Sequence, residues 1–268
     1  MSEKRRANSL DGRTWTRHSI SVWSDLRKSK EELKLKHPAL FPAQLVERII
    51  ECFLPPDGRI VLDPFCGLGS TVVAARNLGK LGIGLDINPE YVKAARARLG
   101  RRQVGQERAP ALPSRVIRAN ASDVLKHAKP NSIDLVVTSP PYWDVLTRRR
   151  SADGKAVRNY GERSADLGRV TDYREFLAAL RGVFAQVLLA LKPGAFCAVI
   201  VMDLRKGSEF YPFHSDLAAE LQAAGFIWDD LIIWDRRQEY NNFRPLGYPA
   251  VFRVNKAHEF VVVFQKRR

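Results

Sequence analysis

Hydrophobic positions along this chain follow two alternating periods. Short apolar runs at 60–63, 81–86, 116–118, 133–138, 195–202, 226–234 and 260–265 read as strands; the fourth holds Ile133, Leu135, Val136 and Val137 with a single polar interruption. Between most of them, apolar residues recur at helical spacing, at 42–53, 70–78, 89–99, 173–191 and 215–224. Seven strands with helices between most of them predict an α/β fold, a doubly wound and mostly parallel sheet. Residues 235–258, between the last two strands, show no helical period. A crossover helix is needed only between parallel neighbours, so this spacing permits an antiparallel last strand. The predicted organisation is a basic N-terminal extension over 1–36 followed by one domain over 37–268. Polar stretches containing Gly and Arg at 100–114, 144–171 and 236–256 read as loops, and insertions as long as the last two are usually functional or mobile.

Charge adds a partner to this picture. The 268 residues include 44 Lys and Arg against 29 Asp and Glu, a formal net charge of +15. A polyanion is the obvious ligand for such a chain, although a generic basic surface has the same composition. The three cysteines, Cys52, Cys66 and Cys197, form no CxxC pair and no Cys/His cluster, so neither a disulfide framework nor a metal site is predicted and the cytoplasm is the expected compartment. His37, His127, His214 and His258 have no mutual metal spacing either. No segment approaches the roughly 20 apolar residues needed to cross a bilayer, so no membrane partner is expected.

Two motifs carry chemistry. In "VLDPFCGLGSTVVAARNLGKLGIGLDINPEYV", Gly67 and Gly69 form a turn between a strand and a helix, and the next strand ends at Asp86. Missing side chains let a ligand approach the backbone, and the N–H groups opening the helix at Ser70 can hold a negative group. Asp86 is then placed to accept from two ribose hydroxyls, as in the dinucleotide fingerprint. The full GxGxxG is absent, and a GxG alone equally describes a tight turn. Asp123, at the next strand-to-helix connection, suits either an adenine amino group or a helix N-cap. The second motif is "TSPPYW", 138–143, directly after the fourth strand. Its prolines restrain φ and offer no N–H, which makes a rigid turn presenting a hydroxyl and two aromatics at the ligand-binding edge of a parallel sheet.

"DPFCGLGS" together with "TSPPYW" resembles the S-adenosylmethionine-dependent amino-methyltransferases of DNA, which act on cytosine N4 or adenine N6. "HPALFP" at 37–42, "GLDINPEYVKAA" and "NKAHEFVVVFQK" resemble further segments of that family, in the unpermuted order of the class I, Rossmann-like methyltransferase fold. The resemblance implies a seven-stranded sheet with an antiparallel last strand and S-adenosylmethionine as cofactor. It implies a cofactor site comprising Phe41, Pro42, Asp63, Phe65, Gly67, Gly69, Ser70, Thr71, Asp86 and Asp123. It also implies that the Ser139 side chain and the Pro140 carbonyl accept hydrogen bonds from the target amine, next to Pro141, with Tyr142 stacked on the base and Trp143 supporting it. Such acceptors favour a pyramidal nitrogen whose lone pair points at the methyl group.

The implied partner is duplex DNA with one base flipped out, at a cost of a few kcal/mol, and a restriction enzyme is a further partner the family suggests. Arg148, Arg149 and Arg150 follow the motif where phosphate contacts could hold the opened strand, together with Lys155, Arg158 and Arg163; a solvated charged loop is the alternative. Asn241, Asn242 and Arg244 lie in "DRRQEYNNFRPLGYP", a candidate for base readout. Serine before the two prolines resembles the cytosine-N4 branch, with adenine N6 the alternative and an RNA base a third. A silent nucleic-acid-binding protein of the same fold is the rival from outside enzymology. No cysteine stands beside the prolines, as a C5-methylating nucleophile would require.

Overall fold

The computed structural model describes residues 6–35, 40–100, 113–144, 167–239 and 249–268. Its centre is an eight-stranded sheet. The strands are β1 (Val22–Trp23), β2 (Ile60–Asp63), β3 (Leu81–Asp86), β4 (Arg115–Arg118), β5 (Ile133–Thr138), β6 (Leu191–Val201), β9 (Phe226–Asp235) and β10 (His258–Lys266), ordered β1-β9-β10-β6-β5-β2-β3-β4. Only β10 runs antiparallel to its neighbours, pairing Phe260 with Val201 on β6 and with Ile233 on β9. The antiparallel last strand is therefore as predicted.

The count of seven is exceeded by one. β1 adds in parallel beside β9, matching Val22 to Ile233 and Trp23 to Trp234. Two residues are too short to show a period, and this strand is held by the side chain of Trp23, which is buried against the helix layer. A separate hairpin, β7 (Leu204–Lys206) with β8 (Glu209–Tyr211), also escaped the sequence pattern.

Alternation along the strands sorts the core into two layers. Leu62, Val136, Cys197, Val199 and Val262 face helices α7 (Tyr173–Ala190) and α8 (Phe213–Ala223), among them Phe176, Phe184 and Phe213. Val61, Leu135, Val137, Ile200 and Val263 face α3 (Ala43–Phe53), with Ala74 and Ala75 of α4 (Ser70–Asn77) on the same side. Every residue of β5 is buried, as a central parallel strand covered on both faces requires. The described residues also form the short helices α1 (Gly12–His18), α2 (Lys30–Leu33) and α6 (Val124–His127), and α5 (Pro89–Gly100). No helix among the described residues is long and apolar enough to cross a membrane.

Candidate active site

The sheet order puts β2 between β3 and β5, so the carboxyl ends of these three strands lie side by side. β2 ends in Asp63, β3 in Asp86 and β5 in Thr138, the first residue of TSPPYW. A cleft of about 810 Å3, its open mouth included, lies over these ends, within the range of small-molecule sites. Its walls include Leu40, Phe41, Phe65, Gly67, Ser70, Asp86, Ile87, Asn120, Ala121, Ser139, Pro140 and Pro141.

Asp63 joins the two motifs from beneath. Its carboxylate is fully buried and accepts from the Thr138 hydroxyl at 2.6 Å, the Thr71 hydroxyl at 2.6 Å and the Phe65 amide at 3.0 Å. Burial pushes its pKa up to about 6, against the lowering effect of these donors. Asp63 and Thr71 thus brace the floor of the site without lining the cleft.

The glycine loop is held by several further contacts. Gly67 and Gly69 take φ of 48° and 79°, and a Cβ at Gly69 would stand 3.0 Å from the Cβ of Ala95. The Cys66 amide donates to the carbonyl of Leu85, and the Ser70 hydroxyl donates at 2.9 Å to the carbonyl of Phe41, bringing the end of the HPALFP segment against the loop. Arg98 donates to the carbonyl of Leu68 at 2.6 Å and lies 3.4 Å from the buried carboxylate of Glu32, which also accepts from the Ala43 amide. Neither Arg98 nor Glu32 stood out in the sequence, because nothing local marks a charge that will be buried. Cys66 lines the cleft, and burial raises its thiol pKa well above the usual range, which disfavours the thiolate.

Asp86 accepts from the amides of Gly67 and Asn88, each at 2.8 Å and on different oxygens. A carboxylate offers about four acceptor positions, enough to take hydroxyl donors at the cleft wall as well. Asp123 does not reach the cleft: its carboxylate pairs with Lys126 at 2.9 Å, it makes no side-chain cap for α6, and Asn120 and Ala121 form the wall in its place. Pro42 likewise stands back from the cleft as the first boundary residue of α3.

Beyond Pro141 the chain turns inward. Tyr142 is buried, its ring edge-on to Phe213 at 6.4 Å and its hydroxyl between Ser139 Oγ at 3.2 Å and Glu259 Oε2 at 3.1 Å. Trp143 takes φ of 48°, a left-handed conformation costly for a bulky residue, and is buried among Tyr173, Tyr211 and the ammonium of Lys206, 3.7 Å from its ring centroid. Lys206 also bridges to Asp144 at 2.8 Å, fastening the β7–β8 hairpin to the end of the motif. On that hairpin Phe210 is exposed, with Arg205 and Lys256 at 5.4 and 4.9 Å from its ring, and Phe252, nearby in sequence to Lys256, is 85 % exposed. Arg148, Arg149, Arg150, Lys155, Arg158, Arg163, Asn241, Asn242 and Arg244 lie outside the described residues.

The cleft fits S-adenosylmethionine chemically. Asp86 can accept from ribose hydroxyls, Ile87 and Ala121 offer apolar faces for a flat base, and the amides opening α4 suit a carboxylate. When bound there, that cofactor supplies an electrophilic methyl group on a sulfonium.

Comparison with known proteins agrees with this geometry. The chain is 40% identical over 78 residues to the type II methyltransferase M.ScaI of Streptomyces caespitosus (29% of this chain, 25% of that protein). It is 46% identical over 79 residues to M2.DpnII of Streptococcus pneumoniae (29% of each). The matched part thus spans under a third of the length of these curated relatives. A tRNA (guanine(10)-N2)-dimethyltransferase of Methanothermobacter thermautotrophicus is 28% identical over 155 residues, 56% of this chain and 38% of its own. Among solved structures, a SAM-dependent methyltransferase from Methanosarcina mazei aligns with a TM-score of 0.52 at 18% identity, covering 85% of this chain and 98% of its own, which supports the fold. A methyltransferase-domain model matches residues 62–150. The DNA methylase family model matches residues 2–97 and 133–268, most of the sequence, and with the two motifs braced on Asp63 above one cleft, the chain belongs to the N6/N4 DNA methylase family.

Proposed function

We propose that the protein transfers a methyl group from S-adenosylmethionine to the exocyclic N4 amine of cytosine in DNA, on a base flipped out of the duplex. The observation that carries this reading is Ser139 on the wall of the same cleft as the glycine loop and Asp86. An exocyclic amine is a poor nucleophile while its lone pair is delocalised into the ring. Ser139 Oγ and the Pro140 carbonyl accept its two hydrogens and favour the pyramidal nitrogen. The nitrogen then attacks in line: an N–C bond forms, the S–C bond breaks with its electrons returning to sulfur, and the nitrogen releases a proton to water. Positioning supplies most of the acceleration, and the buried floor around Asp63 holds both partners still.

Both type II relatives support a role in DNA modification, and a cognate restriction enzyme is the corresponding partner. The exposed Phe210 between Arg205 and Lys256 supports a nucleic-acid substrate, since ring and cation together suit a base and its phosphate. Adenine N6 is the alternative acceptor, reached by the same chemistry. The longer alignment to a tRNA guanine-N2 enzyme, another exocyclic amine, favours RNA as a second substrate class to be tested. The test is incubation of purified protein with isotopically labelled cofactor and either duplex DNA or transfer RNA, followed by nucleoside mass spectrometry. We expect N4-methylcytosine from DNA, and turnover about 10-fold lower or worse in Ser139→Ala with unchanged cofactor affinity. N6-methyladenine alone overturns the base; label in RNA alone overturns the substrate class.

A further inference from the structure

A serine hydroxyl is an ambiguous acceptor. It carries one hydrogen and two lone pairs, and a hydroxyl whose hydrogen points at an amine hydrogen repels it. The structure contains a device that removes the ambiguity. Glu259, on β10, is buried, and its Oε2 lies 3.1 Å from the Tyr142 hydroxyl. Its Oε1 is bridged by Arg236, whose guanidinium also meets Glu239 at 2.7 Å, and Glu239 in turn meets Lys28 at 3.0 Å. Arg236 provides the counter-charge that a buried carboxylate requires.

A carboxylate has no hydrogen to give, so the phenol must donate its only one to Glu259. Toward Ser139, 3.2 Å away, the phenol oxygen can then only accept. The Ser139 hydrogen is turned inward to Tyr142, and both serine lone pairs are left for the cleft. We propose that Glu259, acting through the Tyr142 hydroxyl, is a positioning residue that orders this hydrogen and makes Ser139 a one-way acceptor for the target amine. The inference rests on the amine-methylation reading above and gives Tyr142 a role through its hydroxyl in addition to its ring.

The experiment is a double-mutant cycle on Ser139→Ala and Tyr142→Phe, which keeps the ring and its packing on Phe213. Steady-state kinetics with DNA, cofactor binding by calorimetry and thermal melting are measured for all four proteins. If the phenol works through Ser139, Tyr142→Phe lowers kcat about 10-fold with KM for DNA and cofactor Kd held, and in the Ser139→Ala background it lowers kcat little further. Glu259→Gln, whose amide can donate to the phenol and reverse the chain, gives the same non-additive loss and serves if Tyr142→Phe shows no cooperative melting. Wild-type kcat in Tyr142→Phe, or losses that multiply with Ser139→Ala, overturns hydrogen ordering while leaving the proposed reaction intact. A folded wild-type protein that methylates no base amine overturns both.

Discussion

Asp63 ties the glycine loop to the TSPPYW turn, and its protonation is therefore a stability matter. Its ordinary pKa of 3.8 is raised to about 6 by burial, so the folded state binds this proton more tightly than the unfolded chain does. Stability from this group is accordingly greatest below pH 4, falls as pH rises from about 4 to 6, and is level above that. At about 1.4 kcal/mol per pKa unit the full change is on the order of 3 kcal/mol. In Asp63→Asn the amide can donate to Thr71, whose hydroxyl turns to the Val137 carbonyl 3.3 Å away, so the fold is retained. Urea denaturation across this range should show the wild type losing stability relative to Asp63→Asn as pH rises; parallel curves sink the assignment. Asp63 is the residue whose identity was legible and whose placement was not: the family resemblance implied a place in the cofactor site, and the fold buries its carboxylate beneath the cleft, where it contacts Thr138, 75 positions away.

Strand β3 shows the same division for an element. Its period and its terminal Asp86 were readable, but the reason for its sequence, Leu-Gly-Ile-Gly-Leu-Asp, appears only in the packing of α4 against it. A Cβ at Gly84 would stand 2.8 Å from both Cys66 Sγ and Val72 Cγ2, and one at Gly82 would stand 2.9 Å from Val72 Cα. These glycines let the glycine loop and its helix sit directly on the strand. Gly84→Ala should therefore cost about 1–3 kcal/mol and weaken cofactor binding with it. Gly182, exposed in the middle of α7 with nothing within 4 Å of its Cβ position, is the contrast. There alanine should add about 0.5–1 kcal/mol by restricting the unfolded chain and favouring helix. Calorimetric melting of the two variants checks both signs, and a neutral Gly84→Ala would mean that α4 shifts freely on the sheet.

For the molecule as a whole, the charge of +15 and the aromatic hairpin beside TSPPYW predict salt-sensitive DNA binding. Replacing Arg205 and Lys256 by alanine should flatten the log–log dependence of affinity on salt by about 0.9 for each phosphate that is no longer neutralised. Fluorescence anisotropy at several salt concentrations measures this; an unchanged slope removes the hairpin from the DNA face. Sequence alone determined the seven longer strands with the longer helices between most of them, the glycine turn and the proline turn, because period, turn residues and missing N–H groups act within a few neighbouring positions; it only permitted the antiparallel last strand, which the family resemblance implied. Tertiary structure decided which of these ends stand together. The edge strand at Val22–Trp23 exists because Trp23 finds a buried place beside β9, and Lys206 reaches Trp143 because the hairpin folds back over the motif. Glu259 reaches Tyr142 across 117 positions because β10 carries it to the sheet edge where the motif turns in. The period of a strand specifies the face each side chain takes but not the neighbouring strand, and it is the order of strands in the sheet that brings Thr138 to Asp63 and Glu259 to Tyr142.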